Sequence, residues 1–305
     1  MILSVSRRTD IPALYMDWFM RRVRAGEVWV RNPVNPRQIS RISLERRYVD
    51  GIVFWSKAPA ALQESVEKLR EWPWYLQFTL TGYGQDIEPG LPDKKKVLIP
   101  MFQKLAEAAG KEHLVWRYDP ILVNDRYSLS YHEKAFRSIA ESLRGYTDEA
   151  VISFLDLYGK TKRNMAGTGL REISERDMRT LAESMAAAAR ENGMKAVSCA
   201  EPLTETWLGV ERGSCIDQGR LERLCGYSLK AKKDKGQRQQ CGCVESIDVG
   251  AYDTCLFCCR YCYANDSQEQ VKRTVSLFRP DSPLLCSDMG GRDSLSVRKV
   301  KSLRQ

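Results

Sequence analysis

Six short apolar runs rich in β-branched residues punctuate the first 200 positions: 2–6, 51–55, 75–81, 114–118, 151–157 and 196–200. Several are apolar throughout rather than alternating, the pattern of strands buried on both faces of a parallel sheet. Between them lie amphipathic stretches that predict helices over 12–26, 58–72, 94–110, 131–145 and 174–193. The first is announced by Asp10-Ile11-Pro12 and closed by Gly26, a capping residue with early proline at one end and glycine at the other. Strands and helices alternating at this spacing are βα units. Residues 27–45 break the rhythm. Two short apolar runs, 28–30 and 39–44, flank Asn32-Pro33-Val34-Asn35-Pro36 and predict a hairpin inserted into the first crossover. No G-x-G-x-x-G follows the first run, which favours a (β/α) barrel over a dinucleotide-binding sheet. Barrel chemistry sits at the C-terminal ends of the strands. There the sequence places Arg7, Arg8 and Asp10, Lys57, Thr79 and Thr81, Arg117 and Asp119, Asp156, and Glu201.

The second constraint is where the cysteines are. The chain has ten cysteines and two histidines, His113 and His132, and all ten cysteines lie between Cys199 and Cys286. The opening residues do not run basic, apolar and small in the order of a secretory leader, so the expected compartment is the reducing cytoplasm. No apolar run is long enough for a membrane-spanning helix. Clustered cysteines in that setting read as metal ligands rather than disulfides. Cys255, Cys259 and Cys262 have C-x3-C-x2-C spacing. Three such thiolates can hold three irons of a [4Fe–4S] cube and leave the fourth open, which separates a catalytic site from a closed one. Cys258 offers a fourth thiol, although adjacent side chains rarely aim at one metal. A zinc knuckle or a closed electron-transfer cluster is the alternative.

With Tyr261 between the last two cysteines, the patch resembles the radical S-adenosylmethionine (SAM) signature. That resemblance implies a reduced cluster that cleaves SAM to a 5′-deoxyadenosyl radical, which then takes a hydrogen from a substrate. It also implies a one-electron donor such as flavodoxin or ferredoxin. Four further stretches, Ser6-Arg-Arg-Thr-Asp-Ile-Pro12, Asp50-Gly-Ile-Val-Phe-Trp-Ser-Lys57, Trp116-Arg-Tyr-Asp-Pro120 and Asp248 through Asn265, resemble the uncharacterised family DUF1848 over almost the whole chain. Near the cysteines there is a local similarity to the spore photoproduct lyase group.

In an ordinary radical SAM protein the cluster loop follows the first strand. Here it follows the others, so the resemblance implies a circular permutation, with the segment before Cys255 as the ordinarily first strand and 2–6 as the second. Arg7, Arg8 and Asp10 then fall where the family binds the SAM amino group, with Asp10 the candidate for the ammonium on charge grounds. Tyr261 is expected to seat the adenine through its backbone. Thr81 and Asp119, with Thr79 and Asp156, are expected to meet ribose or substrate hydroxyls.

Four of the remaining cysteines, Cys199, Cys215, Cys241 and Cys243, form a candidate second, closed metal site, an auxiliary [4Fe–4S] cluster or zinc. Cys225 reads as a small buried hydrophobe. The formal charge of +9, from 48 Lys+Arg against 39 Asp+Glu, would suit nucleic acid. No aromatic-interleaved basic strand accompanies it, so it reads as a solvated surface. Trp18, Trp55, Trp72, Trp74 and Trp116 read as core, with cavity lining the alternative for Trp55 and Trp116 near strand ends; His113 is expected in a structural role and His132 at the surface. Residues 294–305 are expected to form a mobile basic tail. The chain is thus expected to be an α/β protein, an incomplete, circularly permuted (β/α) barrel of the radical SAM type. Residues 1–210 would supply the barrel units, and 211–305 a Cys-rich region carrying the cluster loop. The alternative functions are an iron–sulfur electron-transfer protein and a zinc-stabilised nucleic-acid-binding module.

Overall fold

A computed structural model of the chain describes residues 1–157, 159–198, 201, 207–238 and 240–305. Its centre is an eight-stranded sheet. The strands are β1 (Ile2–Val5), β4 (Gly51–Ser56), β5 (Trp74–Thr79), β6 (Leu114–Ile121), β7 (Glu149–Phe154), β8 (Lys195–Ser198), β9 (Val210–Arg212) and β10 (Ile247–Asp248). They run in the order β10-β1-β4-β5-β6-β7-β8-β9, and every pairing is parallel. Among the described residues the two edge strands β9 and β10 do not pair with one another.

Alternation along each strand sorts its residues onto two faces. One face carries Leu3, Val5, Ile52, Phe54, Leu76, Phe78, Trp116 and Ile152, and it packs on the helices. Those helices are α1 (Ile11–Leu14), α2 (Met16–Ala25), α3 (Ala60–Gln63), α4 (Ile99–Ala109), α5 (Leu129–Ser142) and α7 (Glu175–Glu191); among the described residues α6 (Gly159–Asn164) contributes nothing to that core. The other face carries Ile2, Val53, Tyr75, Val115, Val151 and Val197, and it is filled by Cys215, Ile216, Leu221, Leu229, Cys241 and Cys243. A segment that includes α8 (Gln218–Cys225) therefore closes the second face of the sheet. Both faces are dry, which is why the strands read as unbroken apolar runs.

Several helices differ from their expected extents for local reasons. Asp10 caps α1, accepting from the Ala13 amide at 3.0 Å, and Tyr15 at φ −138° separates α1 from α2. Gly26, at φ 73°, ends α2 in the left-handed conformation that glycine adopts without penalty. The stretch 58–72 breaks after α3 into a separate 3₁₀ turn, Val66–Leu69. Residues 94–98 form a π-turn ahead of α4.

The hairpin is present as β2 (Glu27–Arg31) and β3 (Gln38–Ser43). The C-terminal residues correct the expectation of a mobile tail. β11 (Ser294–Val297) pairs parallel with β3, and the Leu303 amide donates to Asp50 at 2.8 Å. His132 also corrects its surface assignment. It is fully buried on α5, with Nδ1 2.8 Å from the Tyr118 hydroxyl and Nε2 2.7 Å from the Leu122 carbonyl. Burial lowers its pKa to about 4, so it is neutral in the fold. His113 has the expected structural bond, Nδ1 to the Trp74 carbonyl at 2.6 Å. Among the described residues no helix is long and apolar enough to cross a membrane.

Candidate functional site

The inner face of the sheet turns polar at the C-terminal ends of its strands. There a cleft of about 1300 Å³ opens, bordered by Asp248 of β10, Ser6 to Asp10 after β1, Trp55 and Lys57 at β4, Thr79 of β5, Arg117 and Asp119 of β6, and Ser153 of β7. Val30, Ser40 and Ile42 bring the hairpin up as one wall. Of the predicted strand-end residues, Arg7, Arg8, Asp10, Lys57, Thr79, Arg117, Asp119 and Asp156 reach this cleft. Thr81 and Glu201 do not: Thr81 is fully buried and donates to Glu88 at 3.0 Å, and Glu201 accepts from the Phe154 amide at 2.9 Å. Trp116 also stays out, stacked on Phe136 in the helix-facing core as expected, while Trp55 borders the cleft instead.

Asp248 ties the two strands at the edge together. It accepts from the Ser4 and Ser6 hydroxyls at 2.8 and 2.6 Å and from the Arg7 and Gly250 amides at 2.8 and 3.0 Å. Gly250 passes so close that a Cβ there would stand 2.0 Å from Ser6 Oγ. The chain then enters the cysteine loop. Cys255, Cys259 and Cys262 border the cleft, and Cys258 does not. Cys258 has φ 49°, and its thiol is 3.8 Å from the Cys255 carbonyl.

This loop is held from several sides. The Gly90 amide donates to the Phe257 carbonyl at 3.2 Å, and Arg260 donates its amide to the Ile87 carbonyl at 2.9 Å. A Cβ on Gly90 would lie 2.7 Å from Phe257 Cα, so only glycine allows this approach. Asn265 donates to the Cys255 carbonyl at 2.8 Å, and the Tyr15 hydroxyl to the Thr254 carbonyl at 2.6 Å. Burial pushes the Cys255, Cys259 and Cys262 thiols up, with Lys57 pulling Cys259 back down. Such buried thiols become thiolates when a cation takes the proton's place. Among the described residues no three His, Cys, Asp or Glu side chains converge closely enough to hold one metal ion. A cube makes a different demand, one thiolate for each of three irons, and the donor set of this loop fits it.

Beneath the loop lies a network that no periodic pattern announces. Glu88 is 1% exposed and is met by Lys57 at 3.0 Å, by Lys94, by Tyr261 and by Thr81. Lys57 Nζ also lies 2.5 Å from the Tyr261 hydroxyl. Burial pushes the Glu88 carboxyl up, but the two ammoniums and the hydrogen bonds of Lys94 and Tyr261 pull it down to about 2. Asp10 goes the other way. Burial raises it to about 6 against the hydrogen bonds of Ser56, Lys57 and Ala13. Its carboxylate already serves the α1 cap and the Lys57 amide, at 3.0 and 2.7 Å. Asp119 is paired with Arg117 and bonded to Ser153. Arg8 stacks on Tyr252, 5.4 Å from the ring centroid.

Cys215, Cys241 and Cys243 are buried together on the inner face and border the same cleft. Arg117 Nη1 is 2.9 Å from the Cys215 sulfur, and the Ile216 amide is 3.3 Å from that of Cys243. Cys199, the fourth expected member, lies outside the described residues. Cys225 is only partly buried and contacts the Tyr227 carbonyl at 3.2 Å.

The family model for a domain of unknown function, DUF1848, matches residues 2–264. The chain belongs to the DUF1848 family. The match takes in β1 through β10 and the cysteine loop up to Ala264, so the cleft is built from residues inside the DUF1848 region and from Asn265 and Arg298 beyond it. No curated protein matches the chain.

Proposed function

We propose that this DUF1848 protein is a radical SAM enzyme, with a [4Fe–4S] cluster held by Cys255, Cys259 and Cys262. The observation that carries the reading is a selection among four neighbouring cysteines: the three with C-x3-C-x2-C spacing border the cleft at the strand ends, and Cys258 does not. The strand order adds support. β10, which leads into the loop, lies parallel beside β1 at the sheet edge, the neighbour relation that a circularly permuted partial barrel requires. When bound, a reduced cluster of this kind would supply one electron to the sulfonium of SAM, breaking its C5′–S bond into methionine and a 5′-deoxyadenosyl radical able to take a substrate hydrogen atom.

The chain's own part is to bind, orient and exclude water. Lys57 sets a positive charge beside Cys259, where thiolate charge would build up. Tyr261 is anchored by Glu88 and Lys57, which fixes the backbone between the last two cysteines. The cleft volume exceeds the usual range for one small ligand, about 300–1000 Å³, which leaves room for SAM and a substrate together. Asp10 serves chiefly as a helix cap, and we assign it to the ammonium of SAM only through the backbone it fixes. We further propose a second, closed site at Cys215, Cys241 and Cys243 with Cys199, an auxiliary [4Fe–4S] cluster or zinc. An external electron donor of the flavodoxin or ferredoxin type is part of the proposal.

The test is product formation. Protein reconstituted anaerobically with iron and sulfide is given dithionite and SAM, and 5′-deoxyadenosine is measured by mass spectrometry. Product in amounts exceeding a cluster-free control is expected. Its absence from protein that carries a full cluster would refute the assignment.

A further inference from the structure

Among the described residues, five buried side-chain polar atoms lack a hydrogen-bond partner, and four of them border the cleft: Arg7 Nε and Nη2, Thr9 Oγ1 and Asn265 Oδ1. Buried polar atoms are ordinarily satisfied, so a concentration of exceptions in one cavity marks where a ligand or water completes them. The Arg7 pair is the most specific. Nε and Nη2 lie on one edge of the guanidinium and form the fork that donates to two oxygens of a planar anion.

Among the described residues the one carboxylate within ion-pair distance of that guanidinium, Asp234, stands at 4.0 Å, the outer limit of such a contact. Arg7 is held in place by Trp55, whose ring centroid is 5.4 Å from its guanidinium carbon. Arg117 packs on the same ring at 5.3 Å, but it is engaged by Asp119, Gln77 and Cys215. The indole thus carries one committed guanidinium and one with an unsatisfied edge.

Arg7 belongs to the residues expected at the SAM amino group, but a guanidinium repels an ammonium, so its free edge suits an anion instead. The cations beside Cys259 are Lys57 and Lys94. The Arg7 guanidinium lies 4.0 Å from Asp234, with Cys243, Cys215, Asp248 and Tyr263 around it. From this geometry we infer that the substrate of the cleft carries an anionic group with two available oxygens, a carboxylate or a phosphate, which the Arg7 edge grips against Trp55. The inference rests on the catalytic reading above only in calling the ligand a substrate. The anion site itself exists with or without a cluster.

The test is calorimetric titration of the cluster-free protein, under anaerobic reducing conditions, with inorganic phosphate in one arm and acetate in the other. One site is expected for the preferred anion. Arg7→Met should weaken it at least about tenfold. Arg7→Lys, which keeps the charge and loses the fork, should weaken it about threefold to fivefold and guards against a folding defect in the first variant. Arg292→Met, at an exposed position, controls for net charge and should bind as the parent does. Labelled SAM is then bound to cluster-loaded protein, where Arg7→Met should stay within about twofold of the parent. Equal anion binding in Arg7→Met and the parent overturns the inference. So does loss of SAM binding in Arg7→Met, which would assign the fork to the carboxylate of SAM. A protein that never binds SAM leaves the anion arms intact, so failure of the catalytic reading and failure of this one are told apart.

Discussion

Replacing Cys259 with alanine is expected to remove the electron paramagnetic resonance signal of the loop cluster and about four irons per chain, while Cys258→Ala leaves both in place. The two residues are adjacent, so composition and charge change equally in the two variants. What differs is position. Cys259 is 7% exposed and borders the cleft with Cys255 and Cys262. Cys258 occupies a left-handed backbone conformation and does not border it. Burial alone keeps the Cys259 thiol protonated, so its value to the fold lies in what replaces that proton. Iron and spectrum are read on reconstituted protein. Loss of the cluster in Cys258→Ala would show that four cysteines close around it.

The largest expected effect on stability belongs to Glu88. Glu88→Gln strips the counter-charge from Lys57 and Lys94 and leaves two partly buried ammoniums facing one another, a loss of about 3 kcal/mol or more. In a chain of this size that is a fall of about 10 °C in Tm. Lys94→Met leaves the Lys57–Glu88 pair intact and should cost under about half as much. Thermal unfolding followed by circular dichroism measures both. The pH dependence has a fixed sign. The carboxyl ionises at about 2 in the fold, against 4.5 for a glutamate in water. Its contribution is therefore complete above about pH 4.5 and is lost as pH falls through about 2. Tyr261 hydrogen-bonds to the same carboxylate, so Glu88→Gln should also loosen the cysteine loop and lower iron retention. A Tm unchanged by Glu88→Gln would mean that the two lysines find other partners.

How much of this could be read from the residues follows from which interactions are local. Six of the eight sheet strands could, because they are apolar runs that announce themselves within a few positions; β9, Val-Glu-Arg with two exposed residues, could not. The cysteine trio could, because its spacing is a local property and its chemistry depends on residue type. Glu88 could not. It lies in a stretch without periodicity, and its meaning comes from Lys57, Lys94 and Tyr261, brought together only by β4, the turn before α4 and the cysteine loop. His132 is hidden for a similar reason: its partners are Tyr118 on β6 and Leu122 just after it, so an opening position on α5 becomes a core position. The C-terminal residues read as a basic tail because the backbone partner of β11 is β3, at the far end of the chain. Asp10 carries the right signal with two meanings. A carboxylate before Ile11-Pro12 is a helix cap by rule, and the cap claims the oxygens that a ligand would need.

The orphaned atoms make the same point from the side of function. Arg7 is legible as a strand-end cation, but its unsatisfied edge depends on the position of Trp55 and on the distance to Asp234. Sequence supplies the residue types of a site. The fold decides which of their atoms remain unsatisfied.

The claim on which the rest depends is that three cysteines hold the cluster and leave one iron open to the cleft. The most direct measurement is the electron paramagnetic resonance spectrum of the dithionite-reduced, reconstituted protein, recorded with and without SAM. With an open iron, the spectrum should change on adding SAM and saturate at one equivalent per chain, because a new ligand enters the coordination of that iron. A cluster of about four irons whose spectrum is indifferent to SAM would contradict it and point to a closed, electron-carrying site.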